Sequence, residues 1–391
     1  MSLSAGKKFR ESVINDTYAE INLKKLKKNF TILKKLACRN SPENVRVCSI
    51  IKANAYGHGM NETGKFLAEN GTDYLGTADY PETETLTKFL KRHRLNTPVL
   101  CLGTLSEKKK YFDTILSGNI EATIADLKSA EFLNNYAGSR NKKIKIQIQV
   151  DSGINRTGFP LKDTFEAYKK IAALKNLKIN GVYSHYSTSE IPRNYYAQRQ
   201  LREFKKLLAE IEHNIEKVKL RHISNSGGIL NYNDGYFNMV RPGISLYGYY
   251  PGKESSGLNT GIEPVMSLKS RVSFIKQLEK NESISYGRKY ITKKRTKIVS
   301  IPVGYGDGYP RLLTNKSKVI INGKFYRTAG TVCMDWIMAD IGMYSGVKLN
   351  DEVTVFGKGY TAEKLAELTG MIPYEITCNI SARVQRVYVS K

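Results

Sequence analysis

Short apolar runs alternate with amphipathic stretches through the first part of the chain. Runs of about four to eight apolar residues are typical of parallel strands that are covered on both faces. Eight runs have this character: Val45–Ile51, Asp73–Thr77, Pro98–Leu102, Ile120–Ile124, Ile144–Val150, Ile179–Ser184, Leu220–Ser224 and Asn238–Arg241. Segments with helical spacing lie between most of them: Glu62–Glu69, Glu82–Arg92, Leu127–Asn135, Thr164–Leu174 and Ala197–Glu216. Eight strand–helix units predict an α/β fold, the (β/α)8 TIM-type barrel.

The pattern changes after Leu258, where alternating apolar and polar residues replace the strand–helix units. Such alternation predicts strands with one buried face. The segments are Ser267–Leu278, Thr296–Val303, Lys318–Ile321, Lys324–Thr328, Val353–Phe356 and Ile376–Val389, with one helix candidate at Ala362–Leu368. We therefore predict a barrel domain over residues 1–258 and a mostly antiparallel C-terminal β domain over residues 259–391. Residues 14–23 are a candidate strand for pairing with the β domain.

Composition narrows the cellular setting. The 391-residue chain contains no apolar run of about 18 residues, so we expect no membrane span. Met1–Ser12 is polar and lacks the apolar core of a signal peptide, although the sequence leaves open whether a leader was trimmed. The five cysteines form neither a zinc pattern nor a disulfide framework, which favours a reduced, cytoplasmic compartment. The five histidines form no metal-binding motif, so no metal is expected.

The formal net charge of +26 raises the question of a nucleic-acid partner. The lysines are spread over predicted helix faces, as in Lys24–Lys28, and no zinc finger, RNA-recognition signature or basic tail accompanies them. We therefore expect no nucleic-acid partner. Attraction of small anionic molecules and solubility are enough to explain the charge.

Polar clusters follow five of the predicted strands, at the end of a barrel where catalytic residues are ordinarily placed. They are Lys52, Asp151–Arg156, His185, Asn225–Gly228 and Arg241–Gly243. A lysine at the end of a buried strand is poorly solvated, which lowers its pKa and favours the neutral amine that forms a Schiff base. The alternative is an ordinary lysine whose ammonium extends into solvent.

The segment Lys52-Ala-Asn-Ala-Tyr-Gly-His-Gly59 resembles the lysine motif of alanine racemases that binds pyridoxal 5′-phosphate (PLP), and the match is unbroken. Further matches recur in the order of that family, from about Thr17 to Val389. The resemblance implies a PLP-dependent isomerase that converts L-alanine to D-alanine and supplies D-alanine for cell-wall peptidoglycan.

The resemblance also implies the residues that bind the cofactor. Lys52 would form the imine, and Arg241 would face the pyridine nitrogen. An arginine leaves that nitrogen unprotonated, which weakens the electron sink and suppresses transamination. Tyr56, Ser226, Gly243 and Ile244 would bind the phosphate. Arg156 would contact the phenolic oxygen and the substrate carboxylate, and His185 and Asn225 complete the predicted cofactor-binding set.

Racemisation removes a proton from one face of Cα and returns one to the other face, so one rigid base cannot easily serve both faces. By resemblance the two bases are Lys52 and Tyr286, the latter in Ser283-Ile284-Ser285-Tyr286-Gly287. Tyr305, Met334 and Asp335 match segments that contact the substrate in the family. Because the tyrosine and the methionine segment come from the second subunit there, the resemblance implies a homodimer with shared active sites.

Two positions depart from the family pattern. Gln149 replaces a lysine that many members carbamylate, so its amide oxygen or a bound anion would have to brace Arg156. Ala382 replaces a tyrosine in Ile380-Ser381-Ala382-Arg383, which suggests a pocket open to amino acids larger than alanine, such as serine. Other readings are a barrel-type PLP decarboxylase, which pairs the ring nitrogen with a carboxylate, and a single-barrel PLP-homeostasis protein.

Overall fold

The computed structural model describes residues 15–39, 44–105, 109–252, 255 and 257–390, so the predicted polar stretch Met1–Ser12 lies outside it. The chain forms two compact units. The first contains residues 26–55 and 60–263, and the described part of the second contains 15–25, 56–59 and 264–390. Strand β1 (Tyr18–Asn22) and helix α1 (Leu23–Arg39) begin the described chain.

Eight parallel strands form the nearly closed barrel of the first unit, which confirms the predicted fold class. They are β2 (Arg46–Ile50), β3 (Tyr74–Thr77), β4 (Val99–Thr104), β5 (Ile120–Ile124), β6 (Ile144–Asp151), β8 (Leu177–Tyr183), β9 (Leu220–His222) and β10 (Met239–Val240). The two-residue strand β7 (Phe159–Pro160) pairs with β6. Strand β10 pairs with β2, and the Arg241 N–H donates to the Ser224 carbonyl at 2.8 Å, which brings the last strands together.

Helices alternate with these strands, as the periodicity predicts. They are α2 (Met60–Glu69), α3 (Tyr80–Arg92), α4 (Lys109–Ser117), α5 (Leu127–Gly138), α6 (Leu161–Ala172), α7 (Tyr195–Asn214) and α8 (Ser226–Asn231). Asp79, Asp126 and Asn194 cap three of the helices through their side-chain oxygens. Burial of one apolar face, such as Phe204 and Ile211 of α7, contributes roughly 1.5–3 kcal/mol per large side chain.

The second unit contains a nine-stranded sheet in the order β12-β15-β18-β17-β16-β19-β11-β1-β20. Its pairs are antiparallel except β1 with β20. The strands are β11 (Met266–Arg271), β12 (Phe274–Leu278), β13 (Ser283–Ile284), β14 (Tyr290–Ile291), β15 (Thr296–Ile301), β16 (Lys318–Ile321), β17 (Lys324–Thr328), β18 (Ile337–Asp340), β19 (Glu352–Phe356) and β20 (Gln385–Val389). The helices are α9 (Ala362–Thr369) and α10 (Pro373–Cys378). Strands β13 and β14 form a separate hairpin.

Two of the predicted β segments need correction. The predicted strand Ser267–Leu278 is two strands, because β11 pairs with β1 and β19 whereas β12 pairs with β15. The predicted run Ile376–Val389 is wrong at its start, where α10 is helical. A proline at the first turn and a bond from the Ile372 N–H to the Glu375 carboxylate at 2.9 Å favour that helix over a strand.

Within the described residues, no helix combines the length and the apolar character required to cross a bilayer.

Candidate active site

Lys52 lies two residues after the end of β2, at the carboxyl end of the barrel strands. The next four residues, Ala53–Tyr56, adopt a left-handed backbone with φ between 52° and 55°. Outside glycine this conformation costs about 1–2 kcal/mol per residue. The Glu82 carboxylate accepts from the Ala53 N–H at 2.8 Å and from the Ala78 N–H at 2.9 Å. These bonds tie the ends of β2 and β3 together and fix the backbone that carries Lys52.

Arg241 follows β10 and is only 2% exposed. Its guanidinium donates to the Ser184 carbonyl at 2.6 Å, lies 3.1 Å from His185 Nδ1 and also contacts His222 Nδ1. Burial lowers the pKa of Arg241 to about 10, so the group stays protonated near neutral pH. Because a guanidinium can only donate hydrogen bonds, a ligand atom that faces Arg241 must be an acceptor.

His185 shows that several loops converge at the barrel mouth. Burial lowers its pKa well below the usual range, and the positive charges of Arg241, Arg156 and Lys52 lower it further. The side-chain amide of Asn225 lies 3.3 Å from His185 Nε2. Arg241, Arg156 and Lys52 therefore lie close enough to His185 for their charges to act on it, and His185 is neutral near pH 7.

Ser226, one of the predicted phosphate-binding residues, begins α8. Its Oγ accepts from the Gly243 N–H at 2.9 Å and from the Ser245 N–H at 3.2 Å, with Ile244 between them. Two accepted bonds occupy the lone pairs of Oγ, so Ser226 can serve a ligand only as a donor. A hydroxyl donor beside backbone N–H groups suits an anionic ligand such as a phosphate.

Gln149 does not brace Arg156 through its amide oxygen, which was the first of the two alternatives that the sequence offered. That oxygen accepts from the Tyr183 hydroxyl at 3.1 Å, and the amide nitrogen donates to Thr157 Oγ1 at 2.8 Å. Thr157 directly follows Arg156, so Gln149 holds the loop rather than the guanidinium. Arg156 itself is exposed.

Tyr286 lies in the second unit and is 73% exposed. Its backbone carbonyl accepts from the Thr331 hydroxyl at 2.6 Å, and the preceding residue, Ser285, donates to the Thr331 carbonyl at 2.7 Å. Ser285 Oγ also lies 3.3 Å from Cys333 Sγ. These contacts join the predicted second base to the Cys333–Asp335 segment.

The remaining predicted substrate contacts lie in the same unit. The Tyr305 N–H donates to the Cys333 carbonyl at 3.0 Å, beside Met334. Arg383 donates to Asp335 and to Asp307, both at 2.8 Å. Side chains with exposed apolar area collect here: Tyr286, Tyr305, Met334 and Trp336. Such a patch is typical of an interface with another protein surface.

Tyr56 also belongs to the second unit and is buried, with its ring centroid 5.9 Å from that of Tyr374. Burial raises the pKa of Tyr56, so its hydroxyl is a neutral donor. The adjacent backbone is held by β20, because Arg386 donates to the Gly57 carbonyl at 3.0 Å and Tyr388 donates to the His58 carbonyl at 3.1 Å.

Two family models match this chain, one over its first part and one over its second part. Residues 21–251 match the alanine racemase N-terminal domain, and residues 265–388 match the alanine racemase C-terminal domain. The chain belongs to the alanine racemase family. Alanine racemase 2 of Caldanaerobacter subterraneus subsp. tengcongensis is 37% identical over 383 residues, which cover 96% of this chain and 95% of that relative.

Solved structures of alanine racemases have the same fold. The alanine racemase of Clostridium difficile 630 is 34% identical, with a TM-score of 0.90 and coverage of 97% of each chain. A structure of that protein in complex with cycloserine is 33% identical, with a TM-score of 0.88 and coverage of 97% of each chain.

Three residues of this alanine racemase family member were missed by sequence reasoning. Glu82 holds the turn after Lys52, His222 contacts Arg241, and Tyr183 packs against His222 with ring centroids 4.9 Å apart. A signal for His222 does exist, because it shares the buried strand face of Leu220 two residues earlier. Glu82 carries no such signal, since its partners are backbone N–H groups.

Proposed function

We propose that the protein is a PLP-dependent alanine racemase that supplies D-alanine for peptidoglycan. The observation that carries the proposal is that the charges of Lys52, Arg156 and Arg241 all act on His185 at the barrel mouth, where Arg241 lies 3.1 Å from His185 Nδ1. The reaction needs an amine for covalent attachment, a cation for the substrate carboxylate and a donor that faces the cofactor ring nitrogen, and these three residues supply them. Membership of the alanine racemase family and the similarity to a structure with cycloserine support the assignment.

The residues fit the cofactor. Lys52 would carry PLP, and Arg241 would face its ring nitrogen. The Ser226 hydroxyl and the Ile244 N–H would bind its phosphate, while the Gly243 N–H holds Ser226 in place. The predicted contacts of Tyr56 with the phosphate and of Asn225 and His185 with the cofactor complete the set. When bound, PLP supplies an electron-withdrawing ring that makes the Cα–H of an attached amino acid acidic.

Side chains of the protein would then bind the substrate carboxylate and transfer the Cα proton. Arg156 would bind the substrate carboxylate, together with the Met334 segment, Asp335 and Tyr305. The amine of Lys52 would take or return the proton on one face of Cα. The hydroxyl of Tyr286, supplied by a second copy of the chain, would serve the other face.

A homodimer with shared sites follows from this assignment. Tyr286 and Met334 are 73% and 54% exposed, and Trp336 lies beside them. An exposed aromatic surface that contains a proposed catalytic hydroxyl is best explained by burial against a partner copy. A cytoplasmic location, inferred from the cysteine composition, remains a prediction.

The direct test is incubation of the pure protein with individual L-amino acids in deuterium oxide. We expect D-alanine to accumulate with deuterium at Cα, as measured by chiral chromatography and mass spectrometry. Release of carbon dioxide and an amine would instead indicate the decarboxylase, which Arg241 disfavours because that class places a carboxylate at the ring nitrogen. No turnover of any amino acid, with PLP bound, would favour the homeostasis protein.

A broader substrate range is the second candidate function, and Ala382 is the observation that favours it. The backbone at this position is held beside the substrate segment, because the Ser381 N–H donates to the Asp307 carbonyl at 3.0 Å. We expect Ala382→Tyr to raise the ratio of alanine to serine turnover roughly tenfold by filling space. Initial rates on both substrates would measure the ratio, with Ala173→Tyr at the exposed end of α6 as the control. An unchanged ratio in Ala382→Tyr would exclude this role for Ala382.

Activity of the wild-type protein is expected to be independent of bicarbonate, because Gln149 cannot form a carbamate. In Gln149→Lys an ammonium replaces the amide oxygen that accepts from Tyr183. Lysine has no acceptor atom, and its carbamate restores two. We therefore expect Gln149→Lys to require bicarbonate for full turnover in buffer freed of carbon dioxide. A wild-type rate that rises with bicarbonate would contradict the prediction.

A further inference from the structure

The interior of the barrel contains a connected set of polar side chains. Its members are Tyr74 on β3, Glu121 on β5, Gln147 on β6, Asn180 on β8 and His222 on β9. They are buried, with Glu121 only 1% exposed. Barrel interiors are ordinarily filled by branched apolar side chains. A carboxylate in such a place is destabilising unless hydrogen bonds satisfy it, so its presence calls for an explanation.

The hydrogen bonds in this set share one direction. Arg241 can only donate, so His222 Nδ1 must accept from it and the imidazole proton must be on Nε2. His222 Nε2 lies 2.6 Å from Gln147 Oε1. The other end of that amide, Nε2, donates to Glu121 Oε2 at 2.6 Å. Each donor along Arg241, His222 and Gln147 therefore points toward the carboxylate.

The two ends of this chain have opposite charges. Tyr74 donates to Glu121 Oε1 at 3.0 Å, and Asn180 donates to the same oxygen at 2.5 Å. Together with the Gln147 amide, these donors satisfy both oxygens of the Glu121 carboxylate. Between the charged ends, His222 is neutral, because burial and then the charge of Arg241 hold its pKa well below the usual range. A buried cation and a buried anion are thus joined through two neutral groups.

The geometry points to Glu121 as a positioning residue for Arg241, acting through Gln147 and His222; this inference rests on the proposed function. With the carboxylate present, the Gln147 amide has one favourable orientation, which fixes the His222 tautomer and leaves Nδ1 to accept from the guanidinium. Without it, the amide can turn over and present its NH2 to His222. The proton then moves to Nδ1, and Arg241 loses an acceptor that orients it at the barrel mouth.

The test is the tautomer of His222 in protein labelled with ¹⁵N-histidine, with its signals assigned by their loss in His222→Asn. We expect the wild type to show the Nε2–H form and Glu121→Gln to show a substantial Nδ1–H population. We also expect kcat to fall about tenfold, the scale of one lost hydrogen bond in a buried site, with KM changed less. Because Gln147→Met breaks the chain in the middle, it should have the same kinetic effect. The double variant should then be no worse than either single variant.

Tyr74→Phe is the matched control, because it removes a donor from the same carboxylate but at the other oxygen. It should lower thermal stability like Glu121→Gln, yet leave the His222 tautomer and kcat as in the wild type. Equal effects of Tyr74→Phe and Glu121→Gln on kcat would overturn the inference, as would an unchanged tautomer in Glu121→Gln. If Glu121→Gln does not fold, Gln147→Met tests the proposed positioning role by the same measurements of the His222 tautomer and of kcat. A tautomer shift in a protein that racemises no amino acid would support the positioning role while refuting the proposed function.

Discussion

Lys52→Ala is expected to lower racemase turnover by at least about 10³-fold, because in the proposed mechanism this residue supplies both the covalent attachment and one of the two bases. The visible absorbance of a lysine-bound cofactor should disappear as well. The fold should persist, since the substitution keeps the bonds from the Ala53 and Ala78 N–H groups to Glu82 that hold the turn after Lys52. Chiral chromatography measures the turnover, absorbance spectra report the bound cofactor, and circular dichroism reports the fold.

Lys91→Ala is the control for Lys52→Ala, because Lys91 is an exposed lysine on the neighbouring helix α3. It removes the same charge and should retain full turnover and absorbance. A Lys52→Ala protein that keeps the absorbance of a bound cofactor would show that another lysine carries PLP.

Tyr286→Phe is expected to lower racemisation by roughly 10²–10⁴-fold, the range for loss of a general acid–base group. The variant should still exchange the α-proton of one enantiomer in deuterium oxide, because the Lys52 amine continues to serve its own face. In this variant, α-proton exchange should therefore continue while racemisation is largely lost. Nuclear magnetic resonance measures the exchange, and chiral chromatography measures the racemisation. Tyr344→Phe, at a tyrosine that is 99% exposed in the same unit, should change neither.

The two variants together test whether the site is shared between copies of the chain. A mixed dimer of Lys52→Ala and Tyr286→Phe would contain one site with both bases and one site with neither. Random mixing should then restore about a quarter of the wild-type rate, because half of the dimers are mixed and each has one good site. No recovery after confirmed subunit exchange would show that both bases come from one chain.

Much of the barrel could be predicted from the sequence because its strands are covered on both faces. Ile120–Ile124 has the predicted bounds, and Ile144–Asp151 differs by one residue from the predicted Ile144–Val150. In the second unit, by contrast, β11 and β12 appear in the sequence as one alternating segment. β11 pairs with β19 whereas β12 pairs with β15, but the alternation of apolar and polar residues continues from one strand into the next. Only the hydrogen-bond pairing therefore shows that the segment is two strands.

The candidate site also has a part that could be predicted from the sequence and a part that could not. Lys52, His185 and Arg241 could be found because each lies at the carboxyl end of a predicted strand, and parallel strands end at one rim. The hydrogen-bond partners of Gln149 could not be predicted, since they are Tyr183 and Thr157, a residue of the loop after β6. A buried amide can contact any of several polar neighbours, and the separation and register of the strands decide which one it contacts.

The sequence by itself determined the barrel, the β domain, the strand ends that carry chemistry and the lysine motif, because these depend on local periodicity and on residues close together in the chain. Only the tertiary structure decided the left-handed turn after Lys52 and the polar chain from Glu121 to Arg241. Closure of the barrel brings together side chains from strands β5, β6 and β9, which are far apart in sequence. Their low-dielectric surroundings then make the direction of each hydrogen bond matter.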